Sequence, residues 1–224
     1  MAVTIKINPC PERYNSATPI QSGRTNSIAA NDDGATQRGR LANWTTLTFN
    51  NHFGHTARFT GTTGGYHDGS GYVDVNGSAT SKALAFPDDI VIDWSQWDLA
   101  TNDVIWWKFT PQSSVNWSTM LSGIPYTHAS YNDWVVPNYP HEGLTILSFE
   151  INTNYPTSND AGSWLNYPPF DRSTVDEQFW TITPQPDNPN RAYVFRTALQ
   201  GVAPDLQTDT NPFFLMRYGN TSEL

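Results

Sequence analysis

Tyr155, Trp164, Tyr167 and Phe170 fall in one stretch of chain, interleaved with Asn, Ser, Asp and Gly. A sugar ring presents an apolar C–H face ringed by hydroxyls, so planar aromatics beside amides and carboxylates suit a glycan. They suit a protein surface equally. The other role open to Trp164 is to plug the loop onto the core, and Pro168 and Pro169 stiffen the loop in either case. A second polar stretch, residues 184–190, contributes Asp187 and Asn190. The candidate binding residues are therefore Tyr155, Trp164, Tyr167, Phe170, Asp187 and Asn190.

Catalysis finds less support. A glycosidase needs two carboxylates facing each other at about 5 Å or about 6.5–9.5 Å. Glu142, Glu150 and Glu177 are available, but nothing in their spacing sets two of them opposite. No Gly-x-Ser-x-Gly elbow occurs, and Cys10, flanked by prolines, has no neighbouring base. His52 and His55 stand three apart, which on a helix would put both on one side. Asn50, Asn51 and Gly54 favour a loop instead, and no third ligand of suitable type is near. His128 and His141 flank Trp134 and are expected to be structural or exposed. The expectation is a protein that is not an enzyme.

Strands must position these groups. Residues 178–183 and 191–195 are rich in aromatic and β-branched side chains and bracket the polar turn 184–190, which predicts a hairpin; residues 212–218 predict a closing strand. Residues 89–94 and 104–109 predict two further strands joined by the polar segment 95–103. Residues 115–121 and 142–149 have the spacing of short helices, with Pro140 just ahead of the second. Trp94, Trp106, Trp107, Trp117, Trp134 and Trp180 fall in these elements and are expected in the core. Residues 152–176 form a long loop, a length uncommon in compact domains and typical of binding loops. Residues 31–82 are rich in glycine, with hairpin-like turns at Asp68–Gly69 and Asn76–Gly77. Residues 1–30 are polar and punctuated by Pro9, Pro11, Pro19 and Gly23, which reads as an arm with one strand at 3–7.

Composition narrows the class. A chain of 224 residues suits one domain, or one domain plus an arm, burying roughly 70% of its unfolded surface. A single cysteine leaves no intrachain disulfide and no four-cysteine zinc site. The net charge of −9, with scattered basic residues, argues against nucleic acid. No run approaches the roughly 18 apolar residues of a membrane helix, so no membrane partner is expected. The opening residues 1–6 lack the apolar core of a secretory leader, so the sequons at Asn43, Asn76, Asn116 and Asn220 are expected to carry no sugar.

Residues 23–39, from Gly23 and Arg24 through Asn31, Asp32, Asp33 and Gly34 to Arg38 and Gly39, resemble the opening signature of the Lcl C-terminal-domain family, DUF1566. Later landmarks are similar in order and spacing: Arg58, Phe59 and Thr60 before Gly64 and Gly65; Trp134 to Asn138 with Leu144; Phe179 to Thr183; Ala192 to Val194; and Arg217. The resemblance covers most of residues 21–218. Val135 and Val136 stand where the family has Arg-Leu, and His141, Glu142 and Gly143 depart from its Glu-Leu landmark.

The resemblance implies an α+β, C-type-lectin-like domain over residues 31–224, with a small twisted antiparallel sheet, two short helices and long loops behind the N-terminal extended arm, residues 1–30. Family members are typically non-enzymatic domains of adhesins and phage particles. The implied function is a virion surface protein, a decoration, fibre-head or baseplate component, on an extracellular particle. Such an arm needs a neighbour to hold it, so the implied partners are other virion proteins, a host-surface glycan or protein receptor, and further copies in a homo-oligomer. Two alternatives stand beside this: a structural capsid cement protein, and a bacterial adhesin domain. No cofactor is expected. Gln185-Pro186-Asp187 is similar to a sugar-and-calcium motif of animal C-type lectins, but Asn132 and Asp133 precede it where those lectins have the pair after it. A plain Pro-Asp turn is expected there. Asn31 to Gly34 offers oxygens to calcium but lacks the spaced acidic ladder of a calcium loop.

Overall fold

The computed structural model describes residues 51–55, 57, 59–98, 101–138, 169–170, 177–196 and 201–224, together with β1 (Arg13–Tyr14) and β2 (Ala42–Asn43). The strand expected at 3–7, the helix expected at 142–149 and all of the 152–176 loop except Pro169 and Phe170 lie outside the described residues. After β2 come β3 (Phe59–Thr60), β4 (Tyr66–His67), β5 (Tyr72–Val73), α1 (Lys82–Ala85), β6 (Ile90–Asp98) and β7 (Asp103–Val115). Then follow α2 (Trp117–Ser122), β8 (Tyr126–His128), β9 (Tyr131–Trp134), β10 (Gln178–Pro184), β11 (Arg191–Arg196), β12 (Gly201–Leu206) and β13 (Asn211–Asn220).

These strands build one larger sheet, ordered β13-β7-β6-β1-β2 with β3 also paired to β6, and a three-stranded sheet, β10-β11-β12. Every pairing is antiparallel except that of β1 with β6. Two small hairpins, β4-β5 and β8-β9, complete a domain of mostly antiparallel sheet with few short helices. Residues 135–137 stitch the two sheets together. Val135 exchanges both backbone hydrogen bonds with Met216 of β13, each 2.8 Å, and the Pro137 carbonyl accepts from Ile182 of β10 at 3.0 Å.

The two-residue period of the strands explains the core. Ile90, Ile92 and Trp94 of β6, Val104 and Trp106 of β7, and Phe213 and Leu215 of β13 join one apolar cluster. Their chain neighbours Val91, Ile105, Trp107, Phe214 and Met216 join a second. Successive side chains point to opposite faces, so the sheet is covered on both sides. Trp117, Met120 and Leu121 of α2 and Trp180, Ile182, Ala192 and Val194 close the first face; Phe59, Ala85, Phe86, Phe179 and Phe195 close the second. A one-residue slip of any of these strands would exchange the two cores. All six tryptophans assigned to the core are buried, none more than 2% exposed.

Three boundaries differ from the sequence expectation. Strand β6 runs on to Asp98 and β7 begins at Asp103, so much of the segment 95–103 expected to join the two strands is itself strand. Val115 ends β7 instead of starting a helix: it pairs with Asn211, and the helix begins at Trp117 behind the N-cap Asn116, whose side chain accepts from Thr119 N–H at 2.9 Å. Strand β12 was not expected, because Gly201, Pro204 and Asp205 give it the composition of a turn. The turns at Asp68–Gly69 and Asn76–Gly77 fall where expected, with Gly69 and Gly77 at positive φ. Asp68 accepts from the backbone and hydroxyl of Ser70 and the backbone of Gly71, which hold its carboxyl down at about 2.

Candidate functional site

Antiparallel pairing of β11 with β12 sets Arg191 opposite Leu206, so the β10–β11 and β12–β13 turns emerge at the same end of the three-stranded sheet. The two turns are bonded to each other. Gln207 N–H donates to the Asn190 carbonyl at 2.9 Å, and its side-chain amide donates to the Arg191 carbonyl at 3.2 Å. The Gln207 carbonyl in turn accepts from Trp117 N–H at 3.2 Å, which fixes the first residue of α2 to the same end.

Within the first turn, Gln185 N–H donates to Arg191, Arg191 N–H donates to Asn188, and Asn190 N–H donates to the Asn188 side chain at 3.1 Å. Asp187 and Asn190 are thereby left exposed on a backbone that is internally satisfied. Gln185-Pro186-Asp187 is part of this turn, as expected from its residues. Beneath it the base is stiff. The buried indoles of Trp117 and Trp180 donate to the Thr181 and Val115 carbonyls, both at 2.8 Å, and the Thr181 hydroxyl donates to the Tyr193 carbonyl.

The second turn brings residues that sequence reasoning missed. Asp205 accepts from the Asn211 amide at 2.8 Å, and Arg191 Nη1 donates to the Pro204 carbonyl at 3.2 Å. Desolvation, then a hydrogen bond and like charge from Asp205, push the Asp209 carboxyl above its ordinary value, and Arg191 pulls it the other way. The only signal for these groups in the sequence is the polar run 207–210, which gains meaning once β12 places it beside Asn190. The end of the sheet is thus a rim of amides, hydroxyls and carboxylates on short bonded turns. Its exposed groups can donate and accept hydrogen bonds.

Tyr155, Trp164 and Tyr167 lie outside the described residues, as do Glu142, Glu150, His141 and Asn31 to Gly34. Phe170 is placed, and it is not displayed. It is 4% exposed and meets Phe59 and Phe214 edge-on at 5.6 and 6.0 Å, so it packs in the second core and is withdrawn as a ligand contact. Asp133 accepts from Arg217 through both carboxylate oxygens, which commits this member of the Asn132–Asp133 pair to an ion pair. His52 and His55 occupy a turn, not a helix. Among the described residues, no three His, Cys, Asp or Glu side chains converge as a metal site would require. No helix among them is long and apolar enough to cross a membrane.

No protein-family model, curated protein or solved structure matches this chain.

Proposed function

We propose that this protein is a non-enzymatic surface component of a phage virion, a decoration, fibre-head or baseplate protein, whose paired turns recognise a host-surface glycan or protein receptor. The observation that carries the reading is the rim itself: Asp187 and Asn190 stand exposed on a turn bonded to its neighbour and seated on buried Trp117 and Trp180. A stiff base lowers the ordering cost of binding, so short polar turns can hold a partner with few contacts. In this reading the domain is a C-type-lectin-like member of the Lcl C-terminal-domain type. Its amino-terminal arm docks on neighbouring virion proteins, and copies assemble as a homo-oligomer.

The test is an Asp187→Ala, Asn190→Ala double variant, followed by cell adsorption and by melting temperature. Recognition through the rim predicts lost adsorption at an unchanged melting temperature, because both side chains are exposed. Full adsorption by the variant, with fragile particles when the protein is missing, would establish a cement role instead.

A further inference from the structure

The imidazole of His55 bridges the turn at residues 51–55 and the turn at 61–65. His55 Nδ1 lies 3.0 Å from the Asn51 side-chain nitrogen, and His55 Nε2 lies 3.2 Å from the Gly64 carbonyl oxygen. The backbone decides which of these groups donates. Asn51 Oδ1 accepts from Phe53 N–H at 3.0 Å and from His55 N–H at 3.4 Å, and Asn51 Nδ2 donates to the Ala57 carbonyl at 3.0 Å. Turning the amide over would set N–H against N–H and oxygen against oxygen, so its orientation is fixed. The second Asn51 N–H therefore points at His55 Nδ1, which must offer a lone pair, and the proton sits on Nε2, which gives it to Gly64.

We infer that residues 51–55 form an acid-released latch, closed by neutral His55 and opened when the ring takes up a second proton. That proton can only go to Nδ1, where it would confront the Asn51 N–H across 3.0 Å. Asn51 is buried and cannot turn aside without giving up its bonds to Phe53, His55 and Ala57. Gly64, which accepts from Nε2, sits at φ +86° with the Phe53 ring and Val75 packed so closely that a Cβ there would lie 2.8 and 2.9 Å from them, so the turn admits only glycine.

Among the described residues, the groups facing His55 add no stabilising charge. The Tyr66 ring of β4 lies 4.3 Å from it and the Phe53 ring 6.1 Å. The nearest titratable neighbour on its own turn is His52, stacked on Trp94 at 6.4 Å; next to Tyr66, His67 meets Tyr72 edge-on. Burial accordingly holds the His55 value below the ordinary 6.5, against a raising pull from the Gly64 carbonyl. A folded value below the unfolded one means that the latch is fully closed above 6.5 and weakens as pH falls toward the folded value. Release would carry His52 away from Trp94 and bare the rings of Phe53 and Tyr66. This device is independent of the receptor-binding rim.

The experiment is nuclear magnetic resonance on the full chain between about pH 7.5 and about pH 5. The expected result is an Nε2–H tautomer of His55 at the upper pH. Amide protection at Phe53 and His55 should then fall about tenfold for each pH unit between 6.5 and the folded value. His55→Gln, whose amide can accept from Asn51 and donate to Gly64, should keep constant protection, and His52→Gln should keep the pH dependence. An Nδ1–H tautomer, a midpoint at or above 6.5, or a pH dependence that survives His55→Gln or vanishes with His52→Gln would overturn the latch. The tautomer is read on the unaltered protein, so the test stands even if His55→Gln does not fold.

Discussion

Arg217 grips Asp133 with two parallel hydrogen bonds, Nε to Oδ1 at 2.8 Å and Nη2 to Oδ2 at 3.0 Å. The pair ties the central length of β13 to the β8–β9 hairpin, and Glu223 completes it with Oε2 3.0 Å from Nη1. The guanidinium lies in the corner between two edge-on rings, 4.8 Å from the Trp106 ring centre and 4.1 Å from that of Tyr131. Gly219 makes room for this: a Cβ there would collide with the Trp106 indole and lie 2.8 Å from Arg217 Nη1. Burial pulls the Arg217 pKa down, but the hydrogen bonds and charges of Asp133 and Glu223 outweigh it, leaving the group above its ordinary value.

The two partners are unequally buried, 6% exposure for the Arg217 side chain against 51% for Asp133. Asp133→Ala strands a buried cation with Glu223 alone and should cost about 2–3 kcal/mol. Arg217→Met leaves carboxylates that water can reach and puts a thioether against two aromatic rings, so it should cost only about 1 kcal/mol. Urea unfolding of both variants checks the order. Equal losses would mean that the ion pair, not the burial of the cation, carries the stability.

Asp209 supplies a pH dependence of opposite character to that of most paired carboxylates. Its folded value is raised, by desolvation first and then by Asp205, so its favourable contribution is present below the unfolded value of 3.8 and is lost as pH rises through the folded one. Asp209→Asn should therefore melt higher than the parent at neutral pH. The difference should vanish in acid, and thermal melts at several pH values measure it.

The β8–β9 hairpin turns on two residues with positive φ, Ala129 at 49° and Ser130 at 69°. A left-handed backbone strains any side chain with a Cβ, and only glycine escapes it. Ser130 is exposed and loses no packing, so Ser130→Gly should stabilise by about 0.5–1 kcal/mol. A chemical denaturation midpoint that does not rise would count against strain at this turn.

Helix α2 is too short to stand alone. Its cap holds it: Asn116→Ala frees the Thr119 N–H and should cost about 1 kcal/mol. Loss should spread to the paired turns, because Trp117 N–H bonds to Gln207. Hydrogen exchange at Gln207 and Asn190 would show whether it does.

The β10–β11 hairpin was legible because runs of aromatic and β-branched residues and a Pro- and Asn-rich turn agreed in the same few residues. Strand β12 was not, since Gly201, Pro204 and Asp205 belong there only by virtue of pairing with β11, a proline being tolerated on a strand with one neighbour. Likewise the extension of β7 past Pro111 depends on register shifts opposite β13 that no local pattern reveals. At the candidate site, Asp187 and Asn190 could be picked out because a polar turn between strands must be exposed. Asp205, Asp209 and Gln207 could not, because their place depends on a strand the composition hid. Phe170 failed for a related reason: an aromatic among polar residues reads alike whether it faces a ligand or anchors a loop inward.

Trp106 and Trp107 are consecutive in the chain, fully buried, and assigned to different cores. The first core holds Trp94, Trp106, Trp117, Trp134 and Trp180, whereas Trp107, beside Phe179, Phe195 and Phe214, is the one tryptophan of the second among the described residues. The difference in emission between the parent and Trp107→Phe would therefore report the second side of the sheet. Loosening on that side could then be watched without attaching any dye.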